Sequence, residues 1–262
     1  MKQNLSTLIA LALVSGSALA QTATPAAPEP ASSLTFNAGV VSDYRYRGIS
    51  QTAKKPALQG GVDYADKSGF YIGAWASTIS WIKDTAPTQV KGPVEIDVYG
   101  GYKTEIAKDV TLDVGGLKYW YQGNTLDKAV PEKGTPPTNA NTFELYGALS
   151  FGALTAKLSN STTNLFGAPN SKNSRYFDLS YTIDLGNGMT LVPHIGDQLV
   201  KNNATSYTDY ALTLNKDIDG LVLSAALIGT NYKSRHGAYV LDGSGSKELS
   251  GTTLVLGLKK NF

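Results

Sequence analysis

Charged and aromatic side chains alternate in one short stretch near the start of the sequence, at Asp43, Tyr44, Arg45, Tyr46 and Arg47. Two arginines beside a carboxylate can filter ions in a narrow passage, or they can pair with carboxylates on neighbouring strands. Arginines interleaved with tyrosines also suggest stacking on nucleic-acid bases. On an extended strand, however, residues two apart share a face, so the tyrosines and the arginines would face opposite sides. The spacing favours a charged constriction or lumen ion pairs over nucleic-acid binding.

Hydrolytic chemistry would need a nucleophile, a base and an orienting group, and the sequence has two histidines, His194 and His236. His194 shares the polar face of its segment with Thr190 and Gln198, but no serine with an orienting amide or carboxylate stands at compatible positions. His236 lies in a predicted external loop. The absence of cysteine excludes thiol nucleophiles and thiolate metal sites. We therefore predict no catalytic residue, no cofactor and no metal site.

The elements that position these side chains are predicted to be strands. From Leu34 onward, apolar residues recur at every second position in segments of about eight to fourteen residues, with no helical period between them. The clearest alternations fall at 34–46, 58–64, 94–98, 143–151, 177–183, 210–214 and 252–262. Together with less regular segments, they make twelve. One segment changes phase between 110–114 and 117–121, and a bulge at Gly115 and Gly116 is predicted to re-aim its later residues.

The connections between these segments alternate between short and long. The short ones are at 65–69, 105–109, 151–153, 184–188 and 216–220, and the longer ones are at 48–56, 82–93, 122–140, 162–173, 200–206 and 232–248. Transmembrane barrels have short periplasmic turns and longer external loops. A soluble sandwich also alternates apolar and polar residues, but here charged residues recur in the middle of the polar faces. The pattern predicts an all-β, twelve-stranded antiparallel transmembrane β-barrel with an up-and-down meander.

The ends of the chain also indicate export. Residues 1–20 have a lysine, a short apolar core and a small-x-small ending, which predicts a cleavable signal peptide. Residues 21–33 are rich in proline and alanine and predict a flexible segment, which leaves 34–262 for the barrel. With 23 basic against 21 acidic side chains, the near-neutral chain does not fit a nucleic-acid partner.

The last strand, "TTLVLGLKKNF", resembles the assembly signal of bacterial outer-membrane proteins, which end on an aromatic residue with apolar residues at alternate positions. Leu254, Leu256, Leu258 and Phe262 match this signal, whereas Lys260 departs from it. The resemblance implies an outer-membrane location, contact with outer-membrane lipid, and recognition of this strand by the barrel-assembly machinery.

Longer stretches carry a second resemblance: "FNAGVVSDYRYRGISQT" (36–52), "PALQGGVDY" (56–64), "SGFYIGAWAS" (68–77), "EIDVYGGYK" (95–103) and the ending "TLVLGLKK". In these the sequence resembles the proteobacterial TorF family of porin-like proteins. The resemblance covers the chain after the proline-rich segment, and its N-terminal third is the most specific part. It implies an outer-membrane barrel with a pore.

Twelve strands about 4.8 Å apart and tilted by about 40° enclose a wall roughly 24 Å across, which leaves about 10 Å between side chains. The predicted pore-lining residues are Asp43, Arg45, Arg47, Asp63, Glu95, Asp97, Lys103, Glu144, Lys157, Asp178, Asp209 and Lys259. Because this lining leans acidic, a weak cation preference is expected. The predicted function is passive diffusion of small polar solutes or ions through the outer membrane. A non-conducting barrel with an adhesion or envelope-structural role is the alternative, and an outer-membrane hydrolase is the third.

Overall fold

The computed structural model describes residues 32–85, 89–130, 135–237, 240–242 and 244–262. The predicted signal peptide and nearly all of the proline-rich segment lie outside these ranges. No helix in the described part of the chain is long and apolar enough to cross a membrane.

The described chain is built almost entirely of strands. In chain order they are β1 Ser32–Val41, β2 Arg45–Tyr46, β3 Ile49–Ser50, β4 Ala57–Asp66, β5 Phe70–Thr78, β6 Val94–Ala107, β7 Val110–Tyr121, β8 Thr142–Phe151, β9 Leu154–Ser161, β10 Arg175–Tyr181, β11 Ile183–Gly186, β12 Met189–Leu199, β13 Tyr207–Ile218, β14 Leu221–Thr230 and β15 Thr253–Asn261. The short strands β2 and β3 pair only with each other, and β10 and β11 are two parts of one wall strand, since both pair with β12. The wall therefore has twelve antiparallel strands, as predicted.

The wall closes where the last strand meets the first. β15 pairs with β1 in a register that places Asn37 opposite Asn261 and Val41 opposite Gly257. Phe262 then donates its backbone N–H to the carbonyl of Phe36 at 2.9 Å and accepts the reverse hydrogen bond at 3.3 Å. Closure pairs the edges that an open sheet would leave exposed.

The outside of the wall is apolar. Leucine, isoleucine, valine and phenylalanine side chains from successive strands are about half exposed, among them Leu58 at 68%, Ile72 at 56% and Leu145 at 53%. The terminal residues Leu254, Leu256, Leu258 and Phe262 belong to this surface. Soluble monomers rarely expose so continuous an apolar surface, whereas a lipid-facing barrel requires it.

The two ends of the wall differ. The turns at one end are short, whereas the connections at the other end contain the helices α1 Trp81–Thr85 and α2 Tyr232–His236 and a short 3-10 helix at Leu126–Lys128. This asymmetry agrees with the alternation of short and long connections in the sequence.

The predicted bulge at Gly115 and Gly116 is wrong. β7 stays in continuous register with β6 and β8 through both glycines. The apolar residues that follow, Leu117, Tyr119 and Tyr121, are buried inside the barrel. Glycine is needed at 115 because a Cβ there would lie 2.5 Å from the hydroxyl of Tyr146, which occupies the interior. The phase change therefore marks an aromatic part of the interior and not a bend of the strand.

The predicted extension of the first strand to Arg47 is also wrong. β1 ends at Val41, and residues 42–56, here called the lumen loop, turn into the barrel and carry the hairpin of β2 and β3. Tyr44, which alternation had placed on the lipid side, is 2% exposed and lies inside. The tyrosines and arginines of this stretch therefore share one environment.

Candidate functional site

The lumen loop is fixed first at the start of β15, the wall strand that pairs with β1. Arg45 donates from Nε to Asp43 Oδ2 at 2.8 Å, and it also donates to the carbonyl of Gly251 at 2.7 Å and to Thr253 Oγ1 at 2.8 Å. Ser50 donates to the second oxygen of Asp43 at 2.5 Å, which ties β3 to the start of the loop. The ion pair of Asp43 and Arg45 is therefore an internal brace of the loop.

Arg47 reaches the far side of the barrel. Its Nη2 donates to Glu144 Oε2 on β8 at 2.8 Å, and its Nη1 donates to Gln198 on β12. The guanidinium also lies 4.0 Å from the ring centre of Tyr176 and 4.8 Å from that of Tyr46. Since the loop starts at β1, these contacts draw it across the lumen.

The charge of Arg47 is retained in spite of its burial. Burial alone would lower the pKa of its guanidinium, but the carboxylate of Glu144 and the neighbouring tyrosines more than offset this, so its pKa lies above the ordinary value. A buried charge that keeps a direct carboxylate partner is a fixed part of the site. The structure thus places the positive charge of Arg47 inside the lumen, against the wall strands β8 and β12.

Backbone geometry turns the loop at this point. Arg47 has φ of 45° and Gly48 has φ of 78°, both in the left-handed region that favours glycine. A Cβ on Gly48 would lie 2.5 Å from Thr230 Cγ2 and 2.8 Å from Asp209 Cβ. The turn therefore sits directly against the wall formed by β13 and β14.

Aromatic side chains fill the space between the loop and strands β5 to β8. Tyr44 donates to Glu95 Oε1 at 2.6 Å, and its ring centre lies 5.4 Å from that of Trp75. The hydroxyls of Tyr46 and Tyr119 lie 2.7 Å apart. Burial raises the pKa of both loop tyrosines, Tyr44 and Tyr46, so they remain protonated donors. This half of the interior is packed with aromatic rings, and it also holds the buried carboxylates of Glu95, Asp97 and Glu144.

The other half of the interior is polar. His194 on β12 lies between two carboxylates, with Nε2 at 2.7 Å from Asp178 Oδ2 and Nδ1 at 3.7 Å from Asp209 Oδ1. Tyr176 donates to Asp209 at 3.0 Å and lies 3.3 Å from His194 Nε2. This cluster adjoins Arg47 through the ring of Tyr176.

Towards the short-turn end, tyrosines contact three charged side chains of the interior, Asp63, Asp113 and Lys157. Tyr99 donates to Asp63, and Tyr71 donates to Asp113 at 2.5 Å. The ammonium of Lys157 lies 3.9 Å from the ring centre of Tyr146. The interior here combines phenol, carboxylate and ammonium groups.

The structure places the predicted pore-lining residues in two groups. The buried ones are Asp43, Arg45, Arg47, Glu95, Asp97, Glu144 and Asp209. The partly exposed ones are Asp63, Lys103, Lys157, Asp178 and Lys259. Arg47 meets Glu144 and Asp43 meets Arg45, whereas Asp97 keeps one buried oxygen without a hydrogen-bond partner among the described residues.

Sequence reasoning missed the tyrosines of the interior and Gln198. Tyr99 has the same parity as Glu95 and Asp97 of β6, and Tyr119 has the same parity as Asp113 of β7, so parity is the signal that could have identified these two tyrosines. β5 carries no charged residue, and Tyr71 had no such signal. Parity placed Gln198 on the inner face beside His194, but its contact could not be predicted, because it depends on the arrival of Arg47 from another part of the chain. In the described ranges no three histidine, aspartate or glutamate side chains are placed to hold a metal ion.

Comparison with known proteins agrees with this architecture. A family model described as "Bacterial protein of unknown function (Gcw_chp)" matches residues 23–262. No curated protein matches the sequence. A solved structure of the porin NanC in a rhombohedral crystal form has a TM-score of 0.50 at 13% identity, covering 87% of this chain and 99% of that chain. A KdgM porin in complex with disordered oligogalacturonate has a TM-score of 0.50 at 7% identity, covering 88% and 99%. At such identities the likeness concerns the fold.

Proposed function

Because the chain belongs to the Gcw_chp family of bacterial proteins of unknown function, its role has to be argued from its own barrel, and we propose a porin-like channel of the outer membrane. The channel passes small polar solutes or ions by diffusion. The apolar exterior and charged interior support this proposal, as does the fold shared with porins. The TorF resemblance and the predicted cleavable signal peptide belong to the same proposal.

One observation carries the proposal: Arg47 of the lumen loop is held at 2.8 Å by Glu144 of β8, which lies across the barrel from β1, where the loop begins. A loop that crosses the lumen narrows the passage below the width that wall side chains alone would leave. It also sets charged groups where a permeating solute would pass. This is the arrangement expected of a filter for small solutes.

The charges of the interior favour cations weakly. Among the described residues, five buried carboxylates face two buried guanidinium groups. The carboxylates are Asp43, Glu95, Asp97, Glu144 and Asp209. The KdgM porin was solved with oligogalacturonate, an acidic sugar chain, and the acidic lining of this barrel argues against that class of solute.

The C-terminal strand suits the proposed membrane partners. Leu254, Leu256 and Leu258 are each at least 41% exposed on the outside of the wall, where outer-membrane lipid would cover them. Phe262 ends the strand at the closing seam with Phe36. We propose that the barrel-assembly machinery recognises this strand.

A non-conducting barrel is the second candidate, and the same loop favours it. Tyr44, Arg45 and Arg47 are all at most 5% exposed, so the lumen is filled at their level. A barrel closed in this way would serve adhesion or envelope structure. The two candidates differ only in whether solutes pass beside the loop.

Single-channel recording separates these candidates. The refolded full chain, inserted in a planar bilayer, is expected to give small, uniform conductance steps in potassium chloride. An Arg47→Ala variant, which releases the loop from Glu144 and Gln198, is expected to give larger steps. If both proteins retain a folded barrel, judged by heat-modifiable migration, and neither conducts, the channel proposal fails and the closed barrel is favoured.

A hydrolytic role receives no support from the interior. Ser180 lies opposite His194 in the register of β10 and β12. Nε2 of His194, however, is bonded to Asp178 Oδ2 at 2.7 Å, and Nδ1 has no hydrogen-bond partner among the described residues, so neither ring nitrogen is bonded to that serine. Any lipolytic or proteolytic activity that a His194→Gln variant lost would contradict this assignment.

A further inference from the structure

A cavity of about 490 Å³ lies above the lumen loop, at the end of the barrel with the long connections. Its lining comes from the loop itself, from α1 and α2, from the ends of β7, β12 and β13, and from the connections that follow β9, β12 and β14. Six aromatic residues contribute to it, and we call the cavity the aromatic vestibule: Tyr46, Trp81, Tyr121, Phe166, Tyr207 and Tyr232. Its size lies within the range of small-molecule sites.

The rings of the vestibule are held in place by one another. Trp81 packs edge-on against Tyr121 with ring centres 5.4 Å apart, and Phe166 packs edge-on against Tyr46 at 5.3 Å. Tyr207 and Tyr232 lie 5.8 Å apart on the opposite side. Edge-to-face packing fixes ring orientation, so the cavity is formed before a ligand arrives.

The charged side chains of the lining are both carboxylates, Asp84 of α1 and Asp242. The carboxylate of Asp242 accepts the backbone N–H of Lys247 at 3.1 Å, the hydroxyl of Ser244 at 2.9 Å and the backbone N–H of Ser246 at 2.9 Å, and these hydrogen bonds hold its pKa below the ordinary value. No lysine, arginine or histidine is among the described residues that line the cavity. Arg47 lies beneath the floor, but its charge is matched by Glu144 at 2.8 Å.

We propose that the aromatic vestibule binds a small organic cation, such as a quaternary ammonium compound, above the constriction. Aromatic faces attract cations that carry apolar substituents, and the two carboxylates supply the complementary charge. Tyr46 already makes one contact of this kind, since the guanidinium of Arg47 lies 4.8 Å from its ring centre. An acidic ligand would find no positive partner in the lining. The proposal deepens and rests on the channel function, because it names the class of solute captured before passage.

Binding is measured by calorimetry on the refolded full chain in detergent, with choline as the probe. Its neutral isostere, 3,3-dimethylbutan-1-ol, has the same shape with carbon in place of the charged nitrogen. Choline is expected to bind at least about threefold more tightly, the effect of a cation on aromatic rings. Equal binding of the two compounds, or tighter binding of a neutral sugar such as maltose, overturns the proposal.

Variants test the carboxylates. Asp84→Asn and Asp242→Asn are each expected to weaken choline binding by about twofold to fivefold and to leave the isostere unaffected. Asp127→Asn is the matched control, because Asp127 is exposed in the 3-10 helix and does not line the cavity. Unchanged choline affinity in both vestibule variants, with a folded barrel, refutes the assignment. Since this assay needs no conductance, choline binding without channel steps would retain the site and reject only the channel.

Discussion

Arg47 and Glu144 form an ion pair of 2.8 Å inside the barrel, although 97 residues separate them in sequence and each side chain is at most 6% exposed. The pair joins the loop that follows the first wall strand to a strand on the far side. The ion pair therefore fixes the position of the lumen loop, and it neutralises one positive and one negative charge inside the barrel. The first two predictions follow from this pair.

Removing either partner of the pair should destabilise the barrel strongly. Arg47→Gln leaves the Glu144 carboxylate buried without its counter-charge, and Glu144→Gln does the reverse, so each is expected to cost about 3 kcal/mol or more. The double variant should cost less than the sum, with a coupling energy of about 1 kcal/mol or more. Urea unfolding of the refolded protein in detergent gives the four free energies of unfolding.

The pair of Lys54 and Glu248 is the matched control for this cycle. Its atoms lie 3.3 Å apart, but its side chains are 31% and 36% exposed, so its coupling energy should stay below about 1 kcal/mol. Similar coupling in the two cycles would show that burial of Arg47 and Glu144 contributes nothing to their interaction.

The ion selectivity of the channel should depend on Arg47. Arg47→Gln removes one of the two guanidinium groups that are buried among the described residues and leaves the five buried carboxylates, so the preference for potassium over chloride should increase. The reversal potential in a potassium chloride gradient measures this change. Lys67→Gln, at an exposed turn, removes the same charge outside the lumen and should leave the potential unchanged. A shift towards chloride in the Arg47 variant would contradict the proposed path.

Gly48→Ala should destabilise the barrel through both backbone strain and a clash. Its φ of 78° costs an L-residue about 1 kcal/mol, and the added Cβ would lie 2.5 Å from Thr230 Cγ2. Gly152→Ala is the control, because Gly152 has φ of 55° but no atom within 4 Å of the added Cβ. The difference between the two losses of unfolding free energy should exceed about 1 kcal/mol. Equal losses would mean that the lumen loop does not press against the wall.

Deletion of Phe262 should impair assembly in cells more than folding in detergent. The deletion removes two backbone hydrogen bonds to Phe36 at the closing seam and the aromatic end of the proposed assembly signal. We expect a reduced amount of folded protein in the outer-membrane fraction, measured by heat-modifiable migration, and near-normal refolding in detergent. Phe262→Tyr keeps the aromatic end and should assemble normally. Normal assembly of the deletion would argue against recognition through this residue.

The wall of the barrel could be predicted from sequence because its rules are local. Side chains of a strand alternate between two faces, so the pattern from Phe143 to Phe151 indicates a strand with an apolar face wherever its neighbours lie. Short and long connections indicate the two ends in the same way. The number of strands and their antiparallel order follow from these signals, and the structure confirms them.

The packing of the barrel interior could not be predicted from the alternation of apolar and polar residues. Tyr44 and Tyr46 continue the period of β1, and nothing local shows that the chain has left the wall at Val41. The apolar phase of β7 likewise changes at Leu117 without a bend, because aliphatic and aromatic side chains can be buried in a packed lumen as well as in lipid. The alternating pattern shows which side chains of a strand share a face, but it does not show whether that face meets lipid or a packed lumen.

The sequence by itself therefore determined a closed, twelve-stranded wall with a polar inner face. The reason is that the alternation of residues within one strand is enough to predict which of them face each side of the sheet. The tertiary structure alone decided that residues 42–56 cross the lumen and that Arg47 meets Glu144 and Gln198. The physical reason is distance along the chain. A buried charge takes the position where its partners meet it, and those partners come from strands whose mutual positions are set only when the barrel closes.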